Sequence, residues 1–451
     1  MIEGYAQQGN GREAFNCFRK MKQEGFYPDS VTYTCVLKAC SITRGLAMGE
    51  KIHNEVISNG LLEKDIILGN ALVDMYAKCG MLVKAQEVLE ELPNRDVVSW
   101  SALIAGYAQQ GEGHQALVCF EQMKNEGFSP DSITFICILK ACGTIGALSK
   151  GKEVHEKIIQ SGFLNTDTML GNALVYMYVK CGMLVKAKEM LHELPTQDAG
   201  CWNSLIAGYT QLGQCHEALK CFQEMQDMGV CPNAVTYVCI LKACGIVGCL
   251  EIGEQIDAEV RKQRLLEKDF VLGTALVDMY SKCGALTRAQ KVFDQLHLRD
   301  IVSWNALISG YAQSGLAHEA LKCFRQIEDE GVCPDAVTYI CILKACAIGG
   351  SLEIGECIDA RIRRFWLSEK DLMLGNALVD MYSKCGALKR AQEVFELLPD
   401  QNVVSWSALI GGYVQNGLGD EALKCFREMK DAGVYPDVVT YVSILKACGL
   451  K

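Results

Sequence analysis

Residues 132–142 read SITFICILKAC, and the stretch returns as SVTYTCVLKAC from Ser30, AVTYVCILKAC from Ala234, AVTYICILKAC from Ala336 and VVTYVSILKAC from Val438. The spacing is 102 residues each time, without insertion. Trp100, Trp202, Trp304 and Trp406 keep the same interval. Self-similarity at a fixed period is the mark of a repeat architecture, and it overrides the prior of about three domains that length alone would suggest.

Each block divides into three similar units. One opens VVSWSALIAGYAQQG from Val97 and runs 35 residues, the next opens at Ser132 and runs 36, and the third opens TMLGNALVYMYVKCG from Thr168 and runs 31. All share one design: an apolar-periodic helix, a glycine stop, a second amphipathic helix and a turn. Such a unit cannot bury its apolar stripe alone, so neighbours must stack into a continuous core. The expected fold is all-α: a right-handed α-solenoid superhelix of helix-turn-helix repeats, with the first helices lining the concave side. Residues 1–451 read as a single array of twelve complete repeats, with partial repeats at 1–29 and 438–451. Met1 aligns with Leu103, so a fragment or a truncated gene is expected.

Composition narrows the function. No run reaches the 18 apolar residues of a membrane span, and MIEGYAQQGNGREAF at the start has no signal or transit character. Fourteen of the 24 cysteines recur in three fixed repeat positions: Cys17, Cys119, Cys221, Cys323 and Cys425 before Phe; Cys40, Cys142, Cys244, Cys346 and Cys448 in KAC; Cys79, Cys181, Cys283 and Cys385 in KCG. With no C-x-x-C, small buried thiols are expected and no metal or cofactor. Net charge is −10, so nucleic-acid binding requires a local cationic surface.

Three units rotating in strict order, with openings VTYxxxLKAC, NALVDMYxKCG and VSWNALIxGYxQxG, resemble pentatricopeptide repeats. More narrowly, they resemble the plant organelle subclass that alternates standard, long and short motifs. The resemblance covers the whole chain and implies sequence-specific binding of a single-stranded organellar RNA in a mitochondrion or chloroplast, in editing or processing, with no DNA expected. It also implies a deaminase-like domain in many members, needing H-x-E and C-x-x-C. His53-Asn54-Glu55 matches the first motif within a repeat, but no C-x-x-C follows. No catalysis is therefore expected here, and a deaminase would come from sequence beyond Lys451 or from a protein acting in trans. GNGREA at Gly9 and GEGHQA at Gly111 resemble a dinucleotide loop, but no strand precedes them and they read as interhelix turns.

By the resemblance, the fifth and last residues of each unit choose the base. The fifth residues of the 31- and 35-residue units are all polar: Asn70, Ser101, Asn172, Asn203, Thr274, Asn305, Asn376 and Ser407. Those of the 36-residue units are Thr34, Ile136, Val238, Ile340 and Val442, so these units read little. Last residues are Asp or Asn throughout: Asp29, Asp65, Asp96, Asp131, Asp167, Asp198, Asn233, Asp269, Asp300, Asp335, Asp371, Asn402 and Asp437. Helix N-capping explains that choice equally well. Apolar second residues such as Val98, Ile133, Val271, Val302 and Val404 would sandwich the bases.

Phosphate contacts are assigned to lysines on the same helix face as the fifth residue: Lys38, Lys140, Lys242, Lys344 and Lys446 four places on, and Lys78, Lys180, Lys282 and Lys384 eight places on. A solvated helix end, where a cation suits the dipole, is the alternative. The implied read is U-G-n-U-Y-n-G-U-n-Y-G, and Asn233→Asp should move its fifth base from C toward U. A protein-binding scaffold of tetratricopeptide type is the competing reading. The acidic net charge favours it, and the motif rotation disfavours it.

Overall fold

The computed structural model describes residues 1–449 apart from positions 64, 166, 268 and 366–371; of the candidate last residues, only Asp371 lies outside the described set. Among the described residues there are 27 α-helices, from Ile2–Gln7 to Val438–Gly449, and no strand. Two short 3-10 turns, Phe163–Asn165 and Leu265–Glu267, close 36-residue repeats and carry no sequence signal of the kind that marks the helices.

Alternate helices start differently. Past Ile2–Gln7, each first helix whose preceding residue is described begins after an Asp or Asn whose side chain accepts from a backbone N–H one turn in: Asp131 takes the Thr134 amide at 2.8 Å, and Asp300 takes the Ser303 amide at 2.9 Å. This satisfies donors that an α-helix cannot pair internally. Second helices, such as Gly113–Asn125 and Leu184–Glu193, have no side-chain cap. They follow the first helix so tightly that the turn itself sets their start, with a glycine in the left-handed region, as at Gly111 (φ 83°) and Gly182 (φ 76°).

Packing divides the chain into two compact units, Met1–Leu212 with Lys220–Cys231, and Gly213–Leu219 with Pro232–Lys451. Within each unit, first helices stack on first helices, as Ile66–Lys78 on Val97–Gln109 and Leu372–Lys384 on Val403–Gln415. The core lies between the two helix layers of each unit. Leu139, Phe120 and Trp202 are completely buried in the first, and Leu307, Ile342 and Met381 in the second. Small residues let helices cross closely: a Cβ on Gly310 would stand 2.5 Å from the Cβ of Ser281. Ion pairs lace successive second helices, with Lys84–Glu50 at 3.0 Å, Lys150–Glu121 at 2.6 Å and Lys188–Glu224 at 2.7 Å.

The cysteines divide by position. Those of KAC are buried except Cys448, and burial pushes Cys40, Cys142, Cys244 and Cys346 up to about 12. Contrary to the expectation of uniformly buried thiols, Cys231, Cys333, Cys357 and Cys448 are exposed. Cys231 and Cys333 stand before Pro in the turn between repeats, outside the helix contacts.

Candidate nucleic-acid interface

The fifth and last residues of a repeat meet because one turn of the first helix faces the N-terminus of the next first helix. Asn70 Nδ2 donates to both carboxylate oxygens of Asp96, at 3.1 Å each. Asn172 Nδ2 reaches Asp198 at 2.8 Å, Asn305 Nδ2 reaches Asp335 at 3.0 Å, and Asn376 Nδ2 reaches Asn402 at 3.4 Å. Ser101 and Ser407 donate to Asp131 and Asp437 at 3.5 and 3.3 Å. Asn203 belongs to the first compact unit and Asn233 to the second. Thr274 is not brought to Asp300; its hydroxyl donates to Phe270 O of its own helix at 3.2 Å. Thr34 likewise bonds Ser30 O at 2.9 Å.

Capping positions and the candidate base-choosing positions coincide. Asp96 holds Asn70 while accepting the Ser99 amide at 2.8 Å, and Asp335 holds Asn305 while accepting the Thr338 amide at 2.8 Å. Burial works against ionisation of Asp198 and Asp335, but hydrogen bonds from asparagine and from the helix amides bring both below the usual carboxylate range. Both stay acceptor-only at neutral pH. A hydroxyl of the following helix joins the pair: Thr338 Oγ1 donates to Asn305 Oδ1 at 2.7 Å, and Thr134 Oγ1 lies 2.6 Å from Ser101 Oγ. This third member had a visible signal, the Thr or Ser three places after Asp96, Asp131, Asn233, Asp300, Asp335, Asn402 and Asp437, which sequence inspection alone assigns to capping. An asparagine amide carries two hydrogens, so pairs that use one keep a donor for a base edge.

Second residues form an apolar ladder. Every described repeat that starts with a complete first helix exposes a large apolar side chain at this position, from 47% at Val271 to 70% at Met373, with one exception, Gly200.

All nine lysines are exposed, but they fall into three groups. Lys78, Lys282 and Lys384 are paired to the carboxylate one turn earlier: to Asp74 at 2.9 Å, Asp278 at 2.7 Å and Asp380 at 2.8 Å. Lys38, Lys140, Lys242, Lys344 and Lys446 make no ion pair among the described residues. Lys180 stands over the Tyr176 ring, 5.7 Å from its centroid. Exposed pairs of this sort are worth under about 1 kcal/mol, so a phosphate can displace them.

In the second unit these features line one groove of about 690 Å³: Asn376 with Asn402, Ser407 with Asp437, the apolar Met373, Val404 and Val439, and Lys344 and Lys384. Polar pairs, apolar faces and cations thus alternate along a single channel. His53 of the H-x-E match is buried in its repeat, with Nδ1 2.9 Å from Tyr76 Oη.

Paired helices stacked repeat on repeat, with a polar pair at six of the 31- and 35-residue repeats, define an α-solenoid of helix-turn-helix repeats. A PPR repeat family model matches residues 1–41, 95–144, 197–245, 299–348 and 401–449, and a PPR repeat model matches 70–97, 172–197, 274–301 and 376–403. The chain belongs to the pentatricopeptide repeat family. A chloroplastic pentatricopeptide repeat-containing protein of Arabidopsis thaliana is 35% identical over 450 residues, covering 100% of this chain and 72% of its own length. A mitochondrial one is 34% identical, covering 100% and 65%. Among solved structures, maize PPR10 superposes with a TM-score of 0.58 at 20% identity, covering 99% of this chain and 80% of its own. PPR10 in complex with an 18-nt psaJ RNA element gives 0.61 at 19%.

Proposed function

We propose that this chain binds single-stranded RNA, one base for each 31- or 35-residue repeat, and serves editing or processing of a chloroplast or mitochondrial transcript. The observation that carries the reading is the groove in which each fifth residue is hydrogen-bonded to its last residue, between exposed apolar side chains and lysines. A flat base needs two apolar faces and one polar edge contact, and that is what the groove repeats. The RNA-bound relative of the same fold and the organellar relatives support the assignment. The unbroken 102-residue register across both units supports reading 1–451 as one array. The 36-residue repeats act as spacers, and a deaminase, where editing is the outcome, is supplied from elsewhere.

The test is binding of RNA carrying U-G-n-U-Y-n-G-U-n-Y-G, compared with pooled RNA and with DNA of the same sequence. Asn402→Asp should move preference at the tenth base from C toward U by about 1–2 kcal/mol, the exchange of one base-edge hydrogen bond. A shift at another base, or binding to polypeptide partners and to no RNA, would turn the assignment toward a protein scaffold.

A further inference from the structure

The first helices of the four 31-residue repeats are near-copies: NALVDMYAK from Asn70, NALVYMYVK from Asn172, TALVDMYSK from Thr274 and NALVDMYSK from Asn376. On the groove side one of them differs. Four places after the fifth residue, Asp74, Asp278 and Asp380 each hold the lysine one turn further on, and the second copy has Tyr176 instead. In the second unit Asp380 lines the groove together with Asn376 and Lys384. By the same helical spacing Tyr176 stands on one face with Asn172 and Lys180.

Two neighbouring positions bear on it. One repeat earlier, Gly143 leaves room for the ring, a Cβ there lying 3.3 Å from Tyr176 Cε1; the same position is Ser41 before Asp74, to which its hydroxyl donates at 3.2 Å, Gly245 before Asp278 and Ala347 before Asp380. Across the Asn172–Asp198 pair, Gly200 interrupts the apolar ladder, leaving Met169 as the exposed apolar residue on one side. The base at this step therefore lacks an apolar face that other steps have, and an aromatic ring is added beside it.

We infer that Tyr176 and Lys180 form a nucleotide-anchoring site, in which the Tyr176 ring supplies the stacking face that Gly200 lacks and Lys180 contacts the adjoining phosphate. The inference rests on the RNA-binding reading above. Aromatic stacking accepts any base, because every base has a π-face. Lys180 has no carboxylate to leave, since its cation–π contact with the ring takes the place of the aspartate pair in the other copies. The fourth nucleotide of the read is thereby gripped hardest while its identity is chosen by Asn172 and Asp198.

The test is fluorescence anisotropy with the full chain and a labelled RNA of the read above, intact or abasic at one position. Tyr176→Asp copies the residue of the other three repeats, and its thermal melt should match the unmutated chain. Its affinity should fall about tenfold, whereas Tyr176→Phe stays within about twofold. Removing the fourth base should cost the unmutated chain more than removing the eighth, and should cost Tyr176→Asp little beyond the mutation itself. A Tyr176→Asp chain that binds as tightly as the unmutated one, or an abasic penalty at the fourth base that the mutation leaves intact, overturns the site while leaving RNA binding standing. An unmutated chain that retains no RNA overturns both.

Discussion

Asp335 serves two groups at once: the Thr338 amide and the Asn305 side chain, at 2.8 and 3.0 Å. Asp335→Ala should cost about 1–2 kcal/mol of stability in urea unfolding, from a lost cap and an orphaned amide. Asp335→Asn should cost much less, because Asn caps comparably and already does so at Asn233 and Asn402. Equal losses for the two would show that the cap is not what the residue contributes. The types at these positions were legible from the 102-residue register alone. The link between them was not, since capping accounts for Asp by itself, and only the fold shows one carboxylate capping a helix while it holds the fifth residue. The pairing of Lys78, Lys282 and Lys384 was hidden for a simpler reason. The aspartate one turn earlier was present in the sequence, but the helix-face argument counted the cations without their neighbours.

At the scale of helices, close crossings and buried polar contacts set the sensitivities. Gly310→Ala drives a methyl into Ser281 on the adjoining first helix and should cost about 1–3 kcal/mol. Gly253→Ala meets the Sδ and Cε of Met279, a flexible side chain that can turn away, and should cost less by the same unfolding measurement. The second helices of the 36-residue repeats carry His53 and His155 against Tyr76 and Tyr178 in the first unit, and Asp257 and Asp359 against Tyr280 and Tyr382 in the second. Burial, reinforced by Lys84 and Lys186, lowers both histidines despite nearby glutamates. A histidine held neutral in the fold but free to protonate when unfolded makes the unfolded state bind more protons below about pH 6.5. Its contribution is complete above that value and fades as pH falls. Hydrogen exchange should therefore quicken between pH 7.5 and 5, after correction for intrinsic rates, in helices Leu46–Ser58 and Leu148–Ser161 more than in Leu250–Lys262 and Leu352–Phe365. Equal changes in all four would remove the histidines as the cause. The helices themselves followed from periodicity and glycine stops; the His-to-Asp exchange between units carries no meaning until the tyrosine facing it is known.

For the whole chain, electrostatics sets how strongly the proposed RNA would be held. Net charge is −10, and three of the nine groove lysines are already paired. Six unpaired cations, at about −0.7 per neutralised phosphate on a single strand, give a slope near −4 in log K against log salt. Replacing Asp74, Asp278 and Asp380 by Asn should tighten binding and steepen the slope by about 2. A slope already steeper than about −7 in the unmutated chain would place the cationic surface elsewhere. The double duty of the last residue has a final consequence, for how such a protein can change its target. On the function proposed above, a message is rewritten by substituting that residue, yet each substitution must also start the next helix. Leu or Val would break the spelling and the scaffold together, which confines this half of the code to a short alphabet of cap-forming side chains. Retargeting then proceeds by exchanges such as Asp for Asn, each a small step in meaning, and an array of this kind drifts between related messages without passing through an unfolded one.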